Sequence, residues 1–256
     1  MSDTPAPTPA RPLAGRVALI TGAGSGIGRA TAIHLAADGA AVGCLGITGR
    51  AVHETAGLIV AAGGKAIGVE ADVTDADAVR RAVTEVVGLF GPVGIVVNNA
   101  GVPGSGRFID VSYAEWRRVI DVHVDGTFHV TQAVLPGMAA AGWGRVINIS
   151  SEGVWLGHTS VQYATAKSAI VGFTRSLARQ VAASGLLVNA VAPGPVETPM
   201  LFDNSPDEIE AERRTVLIGR FLTPDELAAT IAFLAGPGGD AYVGQILSPN
   251  GGTVFA

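Results

Sequence analysis

The chain is poor in lysine, cysteine, aromatic residues and charge. Its basic side chains number seventeen, yet only Lys65 and Lys167 are lysines. A single cysteine, Cys44, excludes an internal disulfide and reads as a small buried apolar residue. Charged residues make up only 15% of the chain, the net charge is −5, and no Lys/Arg cluster stands out. Binding to a phosphate backbone needs a basic surface, so no nucleic-acid partner is expected. No apolar run reaches the roughly 20 residues of a membrane-spanning helix, so no membrane partner is expected either. The opening stretch MSDTPAPTPARP has four prolines and no apolar centre. It reads as a disordered tail over residues 1–11 rather than a secretory leader. Together these features suggest a soluble, cytoplasmic protein.

What is present is apolar material in a regular order. At 256 residues and 48% hydrophobic, the chain can bury the core of one large domain, read here as residues 12–256. Short apolar runs (RVALIT, AAVGCL, KAIGVEA, VGIVVN, GRVINIS, LLVNAVA) alternate with alanine-rich stretches of helical spacing. Those stretches are Gly28–Asp38, Arg50–Ala62, Ala76–Leu89, Tyr113–Ala141, Tyr163–Ala183 and Pro224–Ala235. Continuously apolar strands imply a sheet covered on both faces. The alternation predicts an α/β fold, a single doubly wound domain with right-handed crossovers. Ligands of such sheets bind at the carboxyl ends of the strands. The irregular segment Pro193–Gly219 begins at one such end, and about residues 195–219 of it form a candidate substrate lid.

Two local patterns carry chemistry. In VALITGAGSGIGRA, glycines 22, 24, 26 and 28 join the first strand to the first helix. Such a turn allows backbone to approach a pyrophosphate, and the helix start offers free N–H groups and a positive dipole end. In VQYATAKSAI, Tyr163 and Lys167 stand at i and i+4, stacked on one helical face. An ammonium beside a phenol favours the phenolate and lowers a pKa that is normally about 10. Tyr163 could then exchange a proton with a carbonyl or alcohol oxygen. Asp121, His123 and Asp125 alternate on a helix and so diverge; no metal is expected there.

The glycine turn has the form TGxxxGxG, and further segments follow in order: ADV at Ala71–Val73, NNAG at Asn98–Gly101, NISS at Asn148–Ser151, YATAK at Tyr163–Lys167, PGPVET at Pro193–Thr198, and GQILSPNGG near the end. Over nearly its whole length the chain resembles the short-chain dehydrogenase/reductase family, with members such as 3-oxoacyl-acyl-carrier-protein reductases. The resemblance implies a Rossmann fold with a seven-stranded parallel sheet and an NAD(P)-dependent enzyme that interconverts a secondary alcohol and a ketone. It implies that Gly22, Ser25, Gly26, Ile27 and Gly28 line the cofactor's phosphates. Asp72 and Val73 would bracket the adenine, and Asn99, Ala100 and Gly101 would lie beside the cofactor, Asn99 near the adenosine-side ribose. Pro193, Gly194, Val196 and Thr198 would lie at the nicotinamide end, the last two holding its amide. Tyr163 is then the acid/base, and Lys167 tunes it and grips the ribose. Lysine suits that task because it is a compact charge on a flexible stem.

A serine at the end of the preceding strand should hold the substrate oxygen. The family ending GRxxNxSS favours Ser151, while the usual spacing to the tyrosine favours Ser150; Ser151 is taken, with the loop shortened just before Tyr163. His123 stands where the family usually has an asparagine that holds a relay water, and is a candidate relay member. Flanking residues Glu152, Trp155, Pro195, Met200, Leu201 and Phe202 would join Ser151 in the substrate pocket, for a fairly hydrophobic ketone. Where an acid would grip the ribose of NAD, the chain has Gly46, with no clear basic partner for the phosphate of NADP. An unpartnered phosphate costs more than an unpartnered ribose, which favours NAD. The resemblance also implies a homotetramer or dimer. The rival function is a cofactor-sensing regulator without turnover.

Overall fold

The computed structural model describes residues 11–157, 160–203 and 205–255. Apart from Arg11, the expected tail lies outside the described residues, as do 158 and 159 of the loop expected to be shortened and residue 204 of the expected lid.

The seven-stranded sheet runs β1 (Val17–Thr21), β2 (Ala41–Gly46), β3 (Lys65–Glu70), β4 (Ile95–Asn98), β5 (Gly144–Ile149), β6 (Leu186–Val191) and β7 (Ile246–Leu247). Its spatial order is β3-β2-β1-β4-β5-β6-β7, and every pairing is parallel. The order reverses between β1 and β4, which opens a crevice over their carboxyl ends. β1, β4 and β5 are buried along their whole length. That is why they read as unbroken apolar runs.

Helices α1 (Gly26–Ala37), α2 (Gly49–Ala61) and α3 (Ala76–Phe90) follow the first three strands; α4 (Tyr113–Ile120) and α5 (Gly126–Ala141) follow β4. The short α6 (Gly153–Leu156) and the long α7 (Val161–Val181) lie between β5 and β6, and α8 (Pro199–Phe202), α9 (Pro206–Arg213) and α10 (Pro224–Ala235) between β6 and β7. One core layer packs Leu35 of α1, Val52 and Ile59 of α2, and Leu227 and Ile231 of α10 against Val42, Cys44 and Ile147. The opposite layer packs Val79 and Val86 of α3, Val130 and Met138 of α5, and Ala178 of α7 against Leu19, Leu45, Val96 and Val188. Cys44 sits inside the first layer, and burial pushes its thiol up to about 12.

The single long helix expected over Tyr113–Ala141 is interrupted. Asp121–Asp125 form one π-helical turn between α4 and α5. The extra residue of such a turn re-aims side chains locally. Here His123 is buried, while Asp121 and Asp125 both pair with Arg117.

Candidate active site

The glycine turn gets its shape from close packing. A Cβ on Gly22 would lie 2.9 Å from Asn99 Nδ2, and one on Gly28 would collide with the Gly22 carbonyl. Asn99 braces the turn by donating from Nδ2 to Thr21 O at 2.9 Å, and Thr21 Oγ1 accepts from the amides of Asn99 and Ala100 at 3.0 and 2.9 Å. So the NNAG segment holds the glycine turn from the next strand. α1 starts at Gly26, two residues before the expected Gly28, and its N-cap Ser25 makes no side-chain capping bond. Asp75, Ser112 and Thr223, in contrast, cap α3, α4 and α10. The start of α1 thus keeps amides and a positive dipole end free to meet an anion.

This helix start opens into a cleft of about 230 Å³ at the carboxyl edge of the sheet. Of the residues singled out in the sequence, Gly22, Ser25, Gly26, Ile27, Asn99, Ala100, Gly101, His123, Tyr163, Lys167, Thr198 and Met200 all line it. Ile149 and Pro199 also line it and were missed. Ile149 is the last residue of β5, and the end of a buried strand forms the crevice floor; that position was the available signal.

Other expected residues stand behind or beside the cleft wall. Asp72 caps its own turn by accepting from Thr74 N at 2.9 Å, and Val73 packs where a Cβ on Gly126 would lie 2.6 Å from its Cγ2. Gly46 ends β2, where its carbonyl accepts from Ala71 N at 3.0 Å. Pro193 O accepts from Glu152 N, and Pro195 O from Leu222 N, both at 3.0 Å. Gly194 passes so near the C-terminal segment that a Cβ would lie 2.7 Å from Asn250 Cα. Val196 is buried in the core, and Leu201 packs with Val216 of the lid segment and with Phe221 just beyond it. Glu152, expected in the substrate pocket, is buried and accepts from Thr253 Oγ1; burial raises its pKa despite that bond. Trp155 of α6 and Phe202 of α8 are exposed apolar side chains.

The two serines point different ways. Ser150 is buried and donates to Lys167 O at 2.9 Å, a bond between β5's end and α7. Ser151 Oγ accepts from Gly153 N at 3.1 Å and lies close enough to the Tyr163 hydroxyl to lower its pKa. Lys167 Nζ donates to Ile149 O at 2.8 Å and lies 5.5 Å from the Tyr163 ring centroid. Beneath them, Asn98 Nδ2 donates to Asn148 Oδ1 at 2.8 Å, and Asn148 Nδ2 to Thr174 Oγ1 at 2.9 Å. This amide chain ties β4, β5 and α7 together.

The electrostatics differ from the expectation of an ammonium that lowers the phenol. Burial pushes Lys167 down to about 7 and Tyr163 up to about 12, with the neighbouring Ser151 hydroxyl opposing the latter. Each shift favours the neutral form. Tyr163 keeps some exposure to the cleft, so water there works against its upward shift. His123 meets the ring of Tyr163 edge-on at 5.4 Å between centroids. Its Nε2 lies 2.9 Å from Val102 O and 3.1 Å from Val102 N, and the tautomer decides which it bonds. Burial, then the Lys167 charge, lower its pKa to about 3, so the imidazole is neutral near pH 7.

Residues 16–209 match the family model for short chain dehydrogenase. The chain is 40% identical over 244 residues to the short-chain reductase protein NovJ of Streptomyces niveus, covering 92% of this chain and 93% of that one. It is 38% identical over 242 residues to the 3-oxoacyl-acyl-carrier-protein reductase FabG of Aquifex aeolicus, covering 94% and 98%. A solved structure from Beutenbergia cavernae, described as an NAD(P)-dependent gluconate 5-dehydrogenase with bound NADP, superposes with a TM-score of 0.89 at 36% identity, covering 95% and 98%. The chain belongs to the short-chain dehydrogenase/reductase family and is an NAD(P)-dependent oxidoreductase of alcohol and ketone groups.

Proposed function

We propose that the protein reduces a fairly hydrophobic ketone to a secondary alcohol, with Tyr163 as proton donor. The observation that carries this reading is Tyr163 and a buried Lys167 lining the same cleft that receives the start of α1, with Ser151 beside the phenol. The dinucleotide's phosphates fit that uncapped helix start and the close-packed glycine turn of Gly22, Ser25, Gly26, Ile27 and Gly28. Asn99, Ala100 and Gly101 would lie beside the dinucleotide, Asn99 near the adenosine-side ribose, and Thr198 and Lys167 would hold its nicotinamide half. When bound, the nicotinamide supplies the hydride that reaches the carbonyl carbon.

The remaining steps belong to the chain. Ser151 and Tyr163 hold the substrate oxygen between two hydroxyls. As negative charge develops on that oxygen, Tyr163 gives it the phenolic proton. A phenol held near 12 carries this proton at neutral pH, which suits reduction. Lys167, poised near 7, can take up a proton and stabilise the phenolate left behind. His123, neutral and bonded to backbone, borders this proton path rather than storing charge on it. Exposed Trp155, Met200, Phe202 and Leu217 give the approach its apolar character, and residues 195–219 act as the lid. NAD is the preferred dinucleotide, and the working assembly is a homotetramer or dimer.

The test is loss of NADH or NADPH absorbance against a panel of aryl ketones, 3-oxoacyl thioesters, sugars and steroids, each cofactor run in parallel. Turnover of at least one ketone is expected. The Tyr163→Phe variant should lose about 10²–10⁴ in kcat while still binding dinucleotide; full activity in that variant would sink the mechanism. Dinucleotide binding without turnover of any ketone would favour the sensor.

A further inference from the structure

The carboxyl end of β2 carries no acid of its own. A Cβ on Gly46 would lie 3.0 Å from Val52 Cγ1 and 4.0 Å from Gly22 Cα, so this position borders the glycine turn. Its partner across the ladder is Glu70, the last residue of β3. Paired residues of neighbouring parallel strands project to the same face of the sheet. The Glu70 carboxylate accordingly reaches over the β2–α2 turn, where a Cβ on Gly49 would collide with its Oε2. Glu70 is exposed and, among the described residues, its carboxylate has no ion-pair partner. The basic residues near this turn are engaged. Arg50 pairs with Glu54 at 2.8 Å. Arg29 donates to Gly24 O at 2.6 Å and Thr55 Oγ1 at 3.1 Å.

We propose that Glu70, reaching from β3, does the work of the acid that Gly46 omits and selects against a dinucleotide bearing a ribose 2′-phosphate. A carboxylate there accepts hydrogen bonds from a free ribose diol and repels a phosphate. The proposal rests on the dinucleotide reading above and goes further by naming the residue that discriminates.

The experiment titrates NADH and NADPH separately into the purified full chain, without substrate, following nucleotide fluorescence. Wild type is compared with Glu70→Gln, Glu70→Ala and Arg50→Ala, and melting curves check that each variant is folded. Wild type should bind NADH more tightly, by about tenfold. Both Glu70 variants should strengthen NADPH binding by about tenfold and weaken NADH binding by about threefold to tenfold, while Arg50→Ala keeps the wild-type order. A wild type that prefers NADPH, or an NADH-to-NADPH ratio unmoved by both Glu70 variants, overturns the role of Glu70 and leaves the dinucleotide reading standing. A wild type that binds neither nucleotide overturns both.

Discussion

Replacing Lys167 with methionine should stabilise the protein while removing a group the proposed mechanism needs. The lysine is buried, and a fall in its pKa from 10.5 to about 7 means that holding its charge costs the fold about 5 kcal/mol. The sign follows from proton counts. The folded chain releases this proton near pH 7 and the unfolded chain near 10.5, so between them the unfolded state binds more protons and wild-type stability climbs with pH. The penalty is about 4 kcal/mol at pH 7 and about 1 kcal/mol at pH 9.5. Methionine has a similar length and does not titrate. It forfeits the Nζ bond to Ile149 O, at about 1–3 kcal/mol for a buried acceptor left bare, at every pH. The net expectation is a gain of about 1–3 kcal/mol at pH 7 that shrinks by about 3 kcal/mol by pH 9.5. Urea unfolding of both proteins at several pH values in that window measures it. Tyr163 and His123, at about 12 and about 3 in the fold, titrate outside the window. A stability difference that stays flat from pH 7 to 9.5 would refute the buried-charge argument.

The serines give a paired test: Ser151→Ala should lower kcat by about 10²–10³, whereas Ser150→Ala should lose only a structural bond to Lys167 O, about 1 kcal/mol in chemical unfolding, with kcat nearly kept. Gly28→Ala should lose dinucleotide binding in a fluorescence titration, because its Cβ collides with the Gly22 carbonyl and meets Asn99 Nδ2 at 2.6 Å. A normal titration by that variant would refute the close-packed cradle. Gly88→Ala, in the last turn of α3, is the control for the substitution itself: a Cβ there meets nothing within 4 Å.

The sheet was readable because six of its seven strands are long enough to leave an apolar run. β7 has only Ile246–Leu247 and was reached through resemblance, not through pattern. Helix existence was readable from spacing, but the π turn was not: Tyr113–Ala141 keeps helical composition throughout, and the added residue shows only in where His123 and Asp125 end up. The cleft was legible where the glycine turn and the Tyr163–Lys167 pair carry unusual backbone or chemical demands, and at Asn99 and Thr198 only through resemblance. It was not legible where ordinary residues fill a position set by the sheet, as Ile149 does.

The choice between the serines shows where one-dimensional reading stops. Ser150 continues the β5 ladder, its amide donating to Val191 O at 2.7 Å, so its side chain follows the strand's alternation into α7. Ser151 lies between that bond and the next one, from Glu152 N to Pro193 O at 3.0 Å, so its side chain takes the opposite face, toward Tyr163. Family spacing counted residues along a loop of variable length; the ladder counts them from a fixed edge. Glu152, two residues after Ser150, follows it in that alternation. Its amide is bound to Pro193 O, which turns the carboxyl toward Thr253 and the C-terminal segment instead of the cleft. Alternation along these bonds, rather than distance from a motif, sets which of three consecutive polar residues faces Tyr163.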